Sequence, residues 1–572
     1  MRVEESYANS EYGQEAMALY EEIKDLDNPE KIEKITTTLV GLKSINGTKG
    51  EVDIANFIKA FLYHIPYFSN HPEYVWEQKL ENDELGRKNI FALIMGPSDK
   101  TVIYHSHSDT VGIEDFGAQK ENAFNPEKIK AFFSTYEENV EIQQAALSGD
   151  WMFGRGSVDM KSGIAVHLTN ILHFSKHLEE LTGNVLLMIN PVEENEHTGV
   201  ICSISELNRL KKEKELDYVM AINNDFCTPL YDGDPNRYIH TGAVGKLLPC
   251  FFIYGREAHV GETLTGVDPT HISAEINRRI NNNMELAENI KDELVLPPSC
   301  LFQRDNKDFY NVQTALTSYL YFNYFIYEDN PKSVMEKLLN IAKESCIEVE
   351  SKLFEQYSEF LNITGLPSSK ISWKTEVDSY SELINELSQK GIDTESISRK
   401  VVDQNSNLEP RMLCFKIIEE LLKQDPEKKP RVIVFFAPPY CPHNYLNIKN
   451  EKERKKYEVI DRVLKETEIE TGEKFSMKKF FPYLSDSSYL SLHDTDEEIN
   501  SLVKNFPEWD KIYPVPVNGI RQLNIPSINM GVYGKDAHQW SERVYKPYTF
   551  HILPKLIRQV TKEMLNEEDH NE

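Results

Sequence analysis

The stretch Thr101-Val-Ile-Tyr-His-Ser-His-Ser-Asp109 is an apolar strand pattern that ends in ionisable side chains. Similar short apolar runs lie at residues 88–95, 184–190 and 218–223, and helical patterns separate several of them. Short strands that alternate with helices predict a mostly parallel sheet covered by helices on both faces. The sequence therefore predicts an α/β fold in which polar residues stand at the ends of apolar strands.

A second pattern interrupts this alternation. Two β-rich segments with many aromatic residues, 246–254 and 312–327, are each followed by a helical pattern. We therefore predict an inserted α+β layer at residues 241–365. The α/β catalytic domain is expected to comprise residues 1–240 and 366–572, with a buried-type strand at 431–437 and a last strand at 527–532.

Composition excludes several classes of protein. The chain has 572 residues, of which 40% are hydrophobic, so a large core is expected. The formal net charge of −29 disfavours nucleic acid and anionic membrane surfaces as partners. Seven cysteines without a Cys-x-x-Cys pair argue against disulfides and against a thiolate zinc site. Residues 1–7 lack an apolar signal core and no apolar run could span a membrane, so we expect a cytoplasmic protein.

Five residues with metal-ligating side chains stand near predicted strand ends: His107, Asp159, Glu194, Asp225 and His538. Two imidazoles and three carboxylates suit two divalent ions about 3.5–4 Å apart, with one carboxylate bridging them. Glu193, beside Glu194, then remains free to act as a base. Asp109 lies on the same strand face as His107 and could accept the imidazole N–H that faces away from the metal. This set indicates a two-metal hydrolase.

Each of these residues taken singly has a plainer explanation. Asp159 precedes a helical pattern and could be an N-cap. The Glu193–Glu194 pair could belong to a solvated acidic loop, since Glu196 is close by. Isolated histidines such as His538 and His259 are more often structural. His105 and Asn224 are rivals of His107 and Asp225 as ligands.

Taken together, the segments resemble the zinc-dependent carboxypeptidase and aminoacylase family, which includes acetylornithine deacetylase, succinyl-diaminopimelate desuccinylase, peptidase T and the glutamate carboxypeptidases. The resemblance rests on His-Ser-Asp (107–109), Gly-Arg-Gly-x-x-Asp-Met-Lys-x-Gly (154–163), Glu-Glu (193–194), Ala-His (258–259) and a late Ala-His (537–538). Three further strings look closest to the arginine-utilisation branch of that family: Tyr-Asn-Val-Gln-Thr (310–314), Ala-Pro-Pro-Tyr (437–440) and Ser-Asp-Ser-Ser-Tyr (485–489).

The resemblance implies a role for each matching residue. His107 and Asp225 would bind one metal ion, Glu194 and His538 the other, and Asp159 would bridge them. Asp109 would orient His107, and Glu193 would be the general base. The inserted layer would be a lid and dimerisation domain whose His259 stabilises the oxyanion, often in the partner subunit, and whose Asn311 lies near the substrate.

The expected cofactors are two divalent ions, zinc first, with cobalt or manganese able to take the same ligands. The expected substrate is a small peptide or an N-acyl or N-carbamoyl amino acid, with a link to arginine metabolism from the branch resemblance alone. The expected assembly is a homodimer through the lid.

Two departures from the family pattern stand out. The segment 317–327 lacks the arginine that binds a substrate carboxylate in many relatives, and Arg256, Arg304 and Arg521 remain open as substitutes. Asp225 lies in Asn-Asn-Asp-Phe, whereas relatives commonly have Glu-Pro there. A binding protein that kept the fold and lost turnover is the rival from another class. A two-metal phosphoesterase is disfavoured because no arginine cluster or phosphate loop accompanies the set.

Overall fold

A computed structural model of the protein describes residues 11–291 and 293–566, so the expectation for residues 1–7 lies outside the described residues. The strands are β1 (Val75–Lys79), β2 (Lys88–Ile94), β3 (Lys100–His107), β4 (Trp151–Phe153), β5 (Asn184–Asn190), β6 (Asp217–Asn223), β7 (Asn236–His240), β8 (Gly242–Ala243), β9 (Gly245–Leu247), β10 (Pro249–Tyr254), β11 (Asn289–Ile290), β12 (Glu293–Leu294), β13 (Ser299–Asp305), β14 (Thr317–Ile326), β15 (Glu376–Ser379), β16 (Arg431–Phe436), β17 (Asn444–Tyr445), β18 (Lys474–Lys478), β19 (Ser527–Met530), β20 (Gly534–Lys535) and β21 (Arg543–Tyr545).

The α-helices are Glu11–Ile23, Asn28–Gly41, Gly50–Tyr63, Pro66–Asn70, Pro126–Ser134, Val140–Ser148, Ser162–Lys176, Thr198–Glu213, Pro269–Ile280, Pro331–Thr364, Tyr380–Gln389, Thr394–Gln404, Pro410–Lys423, Glu451–Thr471, Asp496–Lys504, Trp509–Ile512, Val517–Leu523 and Leu553–Asn566. Among the described residues, no helix is both long and apolar enough to span a bilayer.

The chain forms two compact units. The first contains the described residues up to Ala243, Asn444–Leu492 and the described residues from Pro516 onward. The second contains Val244–His443 and His493–Val515.

An eight-stranded mixed sheet organises the first unit, in the order β1-β2-β5-β3-β6-β19-β7-β18. The four central strands β5, β3, β6 and β19 are parallel. β2 joins β5 in antiparallel fashion at one side, and β7 joins β19 likewise at the other. This sheet confirms the predicted α/β class with a mostly parallel centre.

The central strands are apolar because helices cover both of their faces. Every residue of β2 and β5 is buried, as is typical of strands in the middle of an α/β layer. The helices Ser162–Lys176 and Leu553–Asn566 pack against β3, and Thr198–Glu213 packs against β2. Burial of this apolar surface supplies the main free energy that holds the sheet together.

The second unit has its own sheet, in the order β13-β14-β10-β16-β15, and β9 also pairs with β14. The helices Pro269–Ile280 and Pro331–Thr364 pack against strands of this sheet. A separate apolar core joins β10 and β16 to the helices Tyr380–Gln389 and Pro410–Lys423. The second unit is therefore an α+β layer with its own core.

The predicted boundary at residue 366 needs correction. The sequence assigns residues 366–572 to the catalytic domain, but Glu376–Ser379 and Arg431–Phe436 form β15 and β16 of the second sheet. The second unit therefore continues to His443 and also takes up His493–Val515. The apolar run 431–436 looks like a buried strand in either sheet, and only its pairing with β10 decides which sheet it joins.

Candidate metal centre

The carboxyl ends of three parallel strands meet at one edge of the first sheet. His107 at the end of β3 pairs with Asn190 at the end of β5, and His105 pairs with Asn223 at the end of β6. The residues that follow β5 and β6 therefore emerge beside His107. This register brings together side chains that are far apart in sequence.

The first group of ligand-type side chains consists of His107, Asp159 and Asp225. One donor atom from each lies within 4.8 Å of the others, and all three residues are buried. His107 Nε2 lies 3.0 Å from Asp159 Oδ1. Burial of two carboxylates beside one imidazole is unfavourable unless a cation balances them.

The second group consists of Asp159, Glu194 and His538, again with donor atoms within 4.8 Å of one another. His538 Nε2 lies 2.9 Å from Asp159 Oδ2 and 3.1 Å from Glu194. Asp159 thus points one carboxylate oxygen at each group. The His538 side chain is 49% exposed, whereas that of His107 is 2% exposed.

The backbone around Asp159 explains its placement. Gly156 has a φ of 79°, and a Cβ there would lie 2.8 Å from Thr110 Cγ2, so a glycine fits this turn. Asp159 has a φ of −117° and a ψ of 94°, and the helix begins only at Ser162. The carboxylate of Asp159 contacts His107 and His538, so it is not the helix N-cap.

A buried carboxylate from the end of the chain holds this segment. Glu542 Oε1 accepts the main-chain N–H groups of Val158, at 3.1 Å, and Asp159, at 3.2 Å. Its other oxygen accepts a hydrogen bond of 2.7 Å from Arg155 Nη1. The strand β21, which follows Glu542, pairs with β4, which precedes the Asp159 segment. The His538 loop and the Asp159 loop are therefore held together.

Asp109 forms hydrogen bonds with several residues besides His107. Its carboxylate accepts the main-chain N–H groups of Glu193, at 3.0 Å, and Glu194, at 3.1 Å, and a hydrogen bond of 2.8 Å from Asn46. His107 Nδ1 lies 3.1 Å from the main-chain oxygen of Asp109 and 3.6 Å from its carboxylate. The shorter contact is the hydrogen bond, so the Asp109 main chain receives the imidazole proton and its carboxylate positions the two glutamates.

The electrostatics of the cluster follow from burial. Burial raises the pKa of Asp225 to about 8, and the nearby Asp159 adds to this shift. Burial, and to a smaller extent the negative charge of Asp159, raises the pKa of Glu194 to about 7. Burial lowers the pKa of His538, but hydrogen bonds with Asp159 and Glu194 outweigh this and raise it to about 11. Protons therefore balance the carboxylates of the metal-free protein.

Glu193 lies beside these groups. Burial raises the pKa of Glu193 well above its usual range, while His107 and His197 oppose the shift. A carboxylate with a raised pKa can accept a proton near neutral pH, which suits a general base.

The rivals from the sequence have other partners. His105 Nε2 donates a hydrogen bond of 2.8 Å to Asn190. Asn224 Oδ1 accepts from Ser106 Oγ at 2.9 Å, and its Nδ2 donates to the Gly163 carbonyl at 2.6 Å. These two side chains support the strand ends, which leaves His107 and Asp225 as the members of the cluster.

His259 and Asn311 lie in the second unit, where they share a loop region. His259 forms a bridge with Gln313, and its Nδ1 accepts the Gly261 N–H at 3.1 Å. Since Nδ1 is an acceptor, the neutral ring carries its proton on Nε2 and offers a donor there. Asn311 Oδ1 accepts from Lys307, and its Nδ2 donates to Gln313 at 3.3 Å.

Two of the three arginines left open as carboxylate binders, Arg256 and Arg304, have protein partners in the second unit, whereas Arg521 lies in the first unit. Arg256 donates to the carbonyls of Thr265 and Ser372, and Arg304 is paired with Asp308.

Sequence reasoning missed three residues near the centre: His197, Asp486 and Glu542. One donor atom each from Glu193, His197 and Asp486 lies within 4.8 Å of the others. Asp486 belongs to the string 485–489, which carried only the branch resemblance. Glu542 follows His538 by four residues, and this close spacing was the one available signal.

The donor set suits divalent ions. At a bond length of about 2.0–2.2 Å, neighbouring ligand atoms of a tetrahedral ion are about 3.3–3.6 Å apart. The nitrogen and oxygen atoms of His107, Asp159, Glu194 and His538 lie 2.9–3.1 Å apart, a few tenths of an ångström below that spacing. Imidazole and carboxylate together are donors typical of zinc sites. These residues could therefore hold two ions, with Asp159 contacting both.

The fold and this cluster define a class of protein. Residues 103–234, which carry His107, Asp159, Glu194 and Asp225, match the family described as Peptidase family M20/M25/M40. The chain belongs to this metallopeptidase family and is a hydrolase.

Individual relatives extend the match beyond that segment. The chain is 56% identical over 548 residues to Protein RocB of Bacillus subtilis (strain 168), across 96% of this chain and 97% of RocB. It is 31% identical over 533 residues to YqjN of the same strain, across 91% of this chain and 94% of YqjN. Succinyl-diaminopimelate desuccinylase of Wigglesworthia glossinidia brevipalpis is 24% identical over 218 residues, 37% of this chain and 55% of that enzyme.

Proposed function

We propose that the protein is a two-metal hydrolase that cleaves an amide-type C–N bond in a small peptide or an N-acyl or N-carbamoyl amino acid. The single observation that carries this proposal is the position of Asp159, whose two oxygens face two separate ligand groups. One group is His107 with Asp225, and the other is Glu194 with His538.

Two divalent ions, zinc first among them, would polarise the scissile carbonyl and lower the pKa of a water molecule toward about 7. Glu193 takes the proton of the attacking water and delivers it to the leaving nitrogen. Asp109 keeps Glu193 and Glu194 in place through their main-chain N–H groups. Of the two adjacent glutamates, Glu193 thus transfers the proton and Glu194 binds metal.

The second unit, on this proposal, serves as the lid and dimerisation domain that the family resemblance implies. His259, with its proton on Nε2, donates a hydrogen bond to the developing oxyanion, and Asn311 contacts the substrate. The name of the desuccinylase relative supports cleavage of an acyl–nitrogen bond. The resemblance of residues 310–314, 437–440 and 485–489 to the arginine-utilisation branch supports a place in arginine metabolism, and a cytoplasmic location is part of the same proposal.

The test is a screen of the zinc-loaded protein against dipeptides, N-acyl amino acids and N-carbamoyl amino acids, with release of the free amine as the readout. We expect turnover of at least one class, and a loss of about 10²–10⁴-fold in Glu193→Gln at matched metal content. If the wild type holds its metal and binds such a compound without releasing the amine, the protein is a binder that kept the fold.

A further inference from the structure

A buried pair of residues adjoins Glu193 and has no part in the function described so far. His197 Nδ1 donates a hydrogen bond of 2.9 Å to Asp486 Oδ1, and both residues are buried. Glu193 contributes the third member of this cluster, with donor atoms within 4.8 Å. Asp486 comes from the string 485–489, which folds next to the Glu193 loop although it lies almost 300 residues later in the chain.

Asp486 is held mainly by this histidine. Its second oxygen, Oδ2, is buried and has no hydrogen-bond partner among the described residues, and His105 Nε2, which donates to Asn190, lies 3.9 Å away. A buried carboxylate with one oxygen unpaired is costly, so its retention needs a reason. Contact with the imidazole of His197 supplies one, because the carboxylate fixes the ring's orientation and the position of its proton.

The backbone of His197 points to a role for its side chain. Its φ of 56° and ψ of 20° lie in the left-handed region, which glycine occupies most readily. Its N–H donates to the carbonyl of Val192 at 2.9 Å, and Val192 also has a positive φ, of 69°. A β-branched residue in this region is an outlier, and such strain concentrates at functional sites. The loop from Val192 to His197 is thus a closed, strained turn around Glu193 and Glu194.

We propose that His197 and Asp486 are a positioning pair for Glu193, an inference that rests on the proposed function of Glu193 as general base. Asp486 fixes the imidazole ring of His197. The fixed ring confines the carboxylate of Glu193 to one place beside the metal ligands. Proton transfer then starts from one geometry, and loss of the pair lowers turnover without loss of metal.

The cluster could instead hold a further cation, since a histidine and two carboxylates are also a ligand set. The two possibilities differ in metal content. A positioning pair leaves the number of ions per chain unchanged when Asp486 is replaced, whereas a cation site loses one.

The experiment uses the full chain with His197→Gln, His197→Gly and Asp486→Asn, each alone and combined with Glu193→Gln. His197→Gly is the matched control for the backbone, because glycine accepts the left-handed conformation and removes only the side chain. Metal content is measured by mass spectrometry, folding by thermal unfolding, and kcat and KM on an amide that the wild type cleaves. We expect unchanged metal content and a fall in kcat of about 10–100-fold, the usual effect of removing an outer partner of a site residue.

In the Glu193→Gln background the same changes should produce no further fall, because the pair acts through Glu193. Equal falls in both backgrounds would show a structural role and overturn the proposal, as would full activity of His197→Gly. Loss of one ion in Asp486→Asn would replace the proposal with a cation site. Absence of any amide turnover by the wild type would remove the proposed function and this inference with it, and so differs from failure of the pair alone.

Discussion

Glu542 holds the main chain of Asp159: its Oε1 accepts the Asp159 N–H at 3.2 Å. Neither residue is near the other in sequence, yet the position of the carboxylate that faces both ligand groups depends on this contact. The anchoring oxygen belongs to a buried side chain that also binds Arg155, so the segment has little freedom to shift.

Replacement of Glu542 by glutamine should weaken metal binding. The amide has one acceptor oxygen and an NH2 donor group, so it cannot accept from both Arg155 and the Asp159 N–H, and the position of Asp159 becomes less fixed. We expect metal affinity to fall by about 10–100-fold, as for other outer partners of ligands. Titration with zinc against a competing chelator measures this change.

Asp115→Asn is the matched control for Glu542→Gln, since Asp115 also pairs with Arg155, at 2.8 Å. The Asp115 carboxylate accepts from Arg155 Nη2 through both of its oxygens, so its replacement should leave zinc affinity within about twofold of the wild type, in line with the small effect of partly exposed ion pairs. Equal losses in both variants would assign the effect to Arg155.

The two adjacent glutamates should respond in opposite ways. Glu193→Gln should keep its metal and lose turnover by about 10²–10⁴-fold, the range for loss of a general base. Glu194→Gln should lower metal content first, because its carboxylate lies 3.1 Å from His538 in the second group. Metal analysis together with kcat separates the two roles, and the reverse pattern would exchange them.

Metal binding should release protons and strengthen as the pH rises. The pKa values of Asp225, about 8, and His538, about 11, are raised, so both groups hold a proton at pH 7 in the metal-free protein. Metal binds the deprotonated forms, and affinity therefore increases by about tenfold per pH unit for each proton displaced. Calorimetry at pH 6.5 in two buffers of different ionisation enthalpy measures the release. Identical binding enthalpies in both buffers would contradict it.

Gly531→Ala should disturb Asp225 through the backbone. A Cβ at Gly531 would lie 1.9 Å from the carbonyl oxygen of Asp225, too close for any real contact. We expect a loss of about 1–3 kcal/mol of stability, typical of overpacking, and a smaller gain in Tm on addition of zinc. Gly41→Ala is the control, since nothing lies within 4 Å of its Cβ. Equal zinc-induced gains in both variants would rule out a link to the metal centre.

His259→Ala should lower turnover by about 10²–10³-fold, the usual cost of losing one oxyanion donor, and should leave metal content intact. If the residue acts across a dimer, mixing His259→Ala with Glu193→Ala chains restores part of the activity. Heterodimers verified by differential tags and still inactive would confine His259 to its own chain or to a structural role.

Much of the fold could be predicted because its signals are local. The strand at 184–190 forms with the predicted bounds, and the helical patterns predicted after the two β-rich segments form the helices Pro269–Ile280 and Pro331–Thr364. The helix that the sequence predicts after Asp159 starts only at Ser162, because Asp159 and Met160 have non-helical backbone conformations that place the carboxylate. The apolar periodicity of the sequence does not predict this local backbone conformation.

The positions of the five ligand candidates were predictable since each stands where a strand or a turn ends. The supporting side chains were not. Glu542 and Asp486 are brought to the centre by the tertiary fold, and neither lies in a periodic pattern. The allocation of Arg431–Phe436 to the second sheet likewise depends on pairing with β10, which no local signal encodes.

On the proposed two-ion centre, the unequal exposure of His107 and His538 would give the two ions different residence times. An ion held through His538 would meet solvent directly, so chelators would displace it sooner than an ion beside the buried Asp225. A short treatment with chelator would then leave a population with one ion per chain, retained at the enclosed position. The activity of such a preparation reports the occupancy of the outer position, and added metal restores it at the rate of a single binding step.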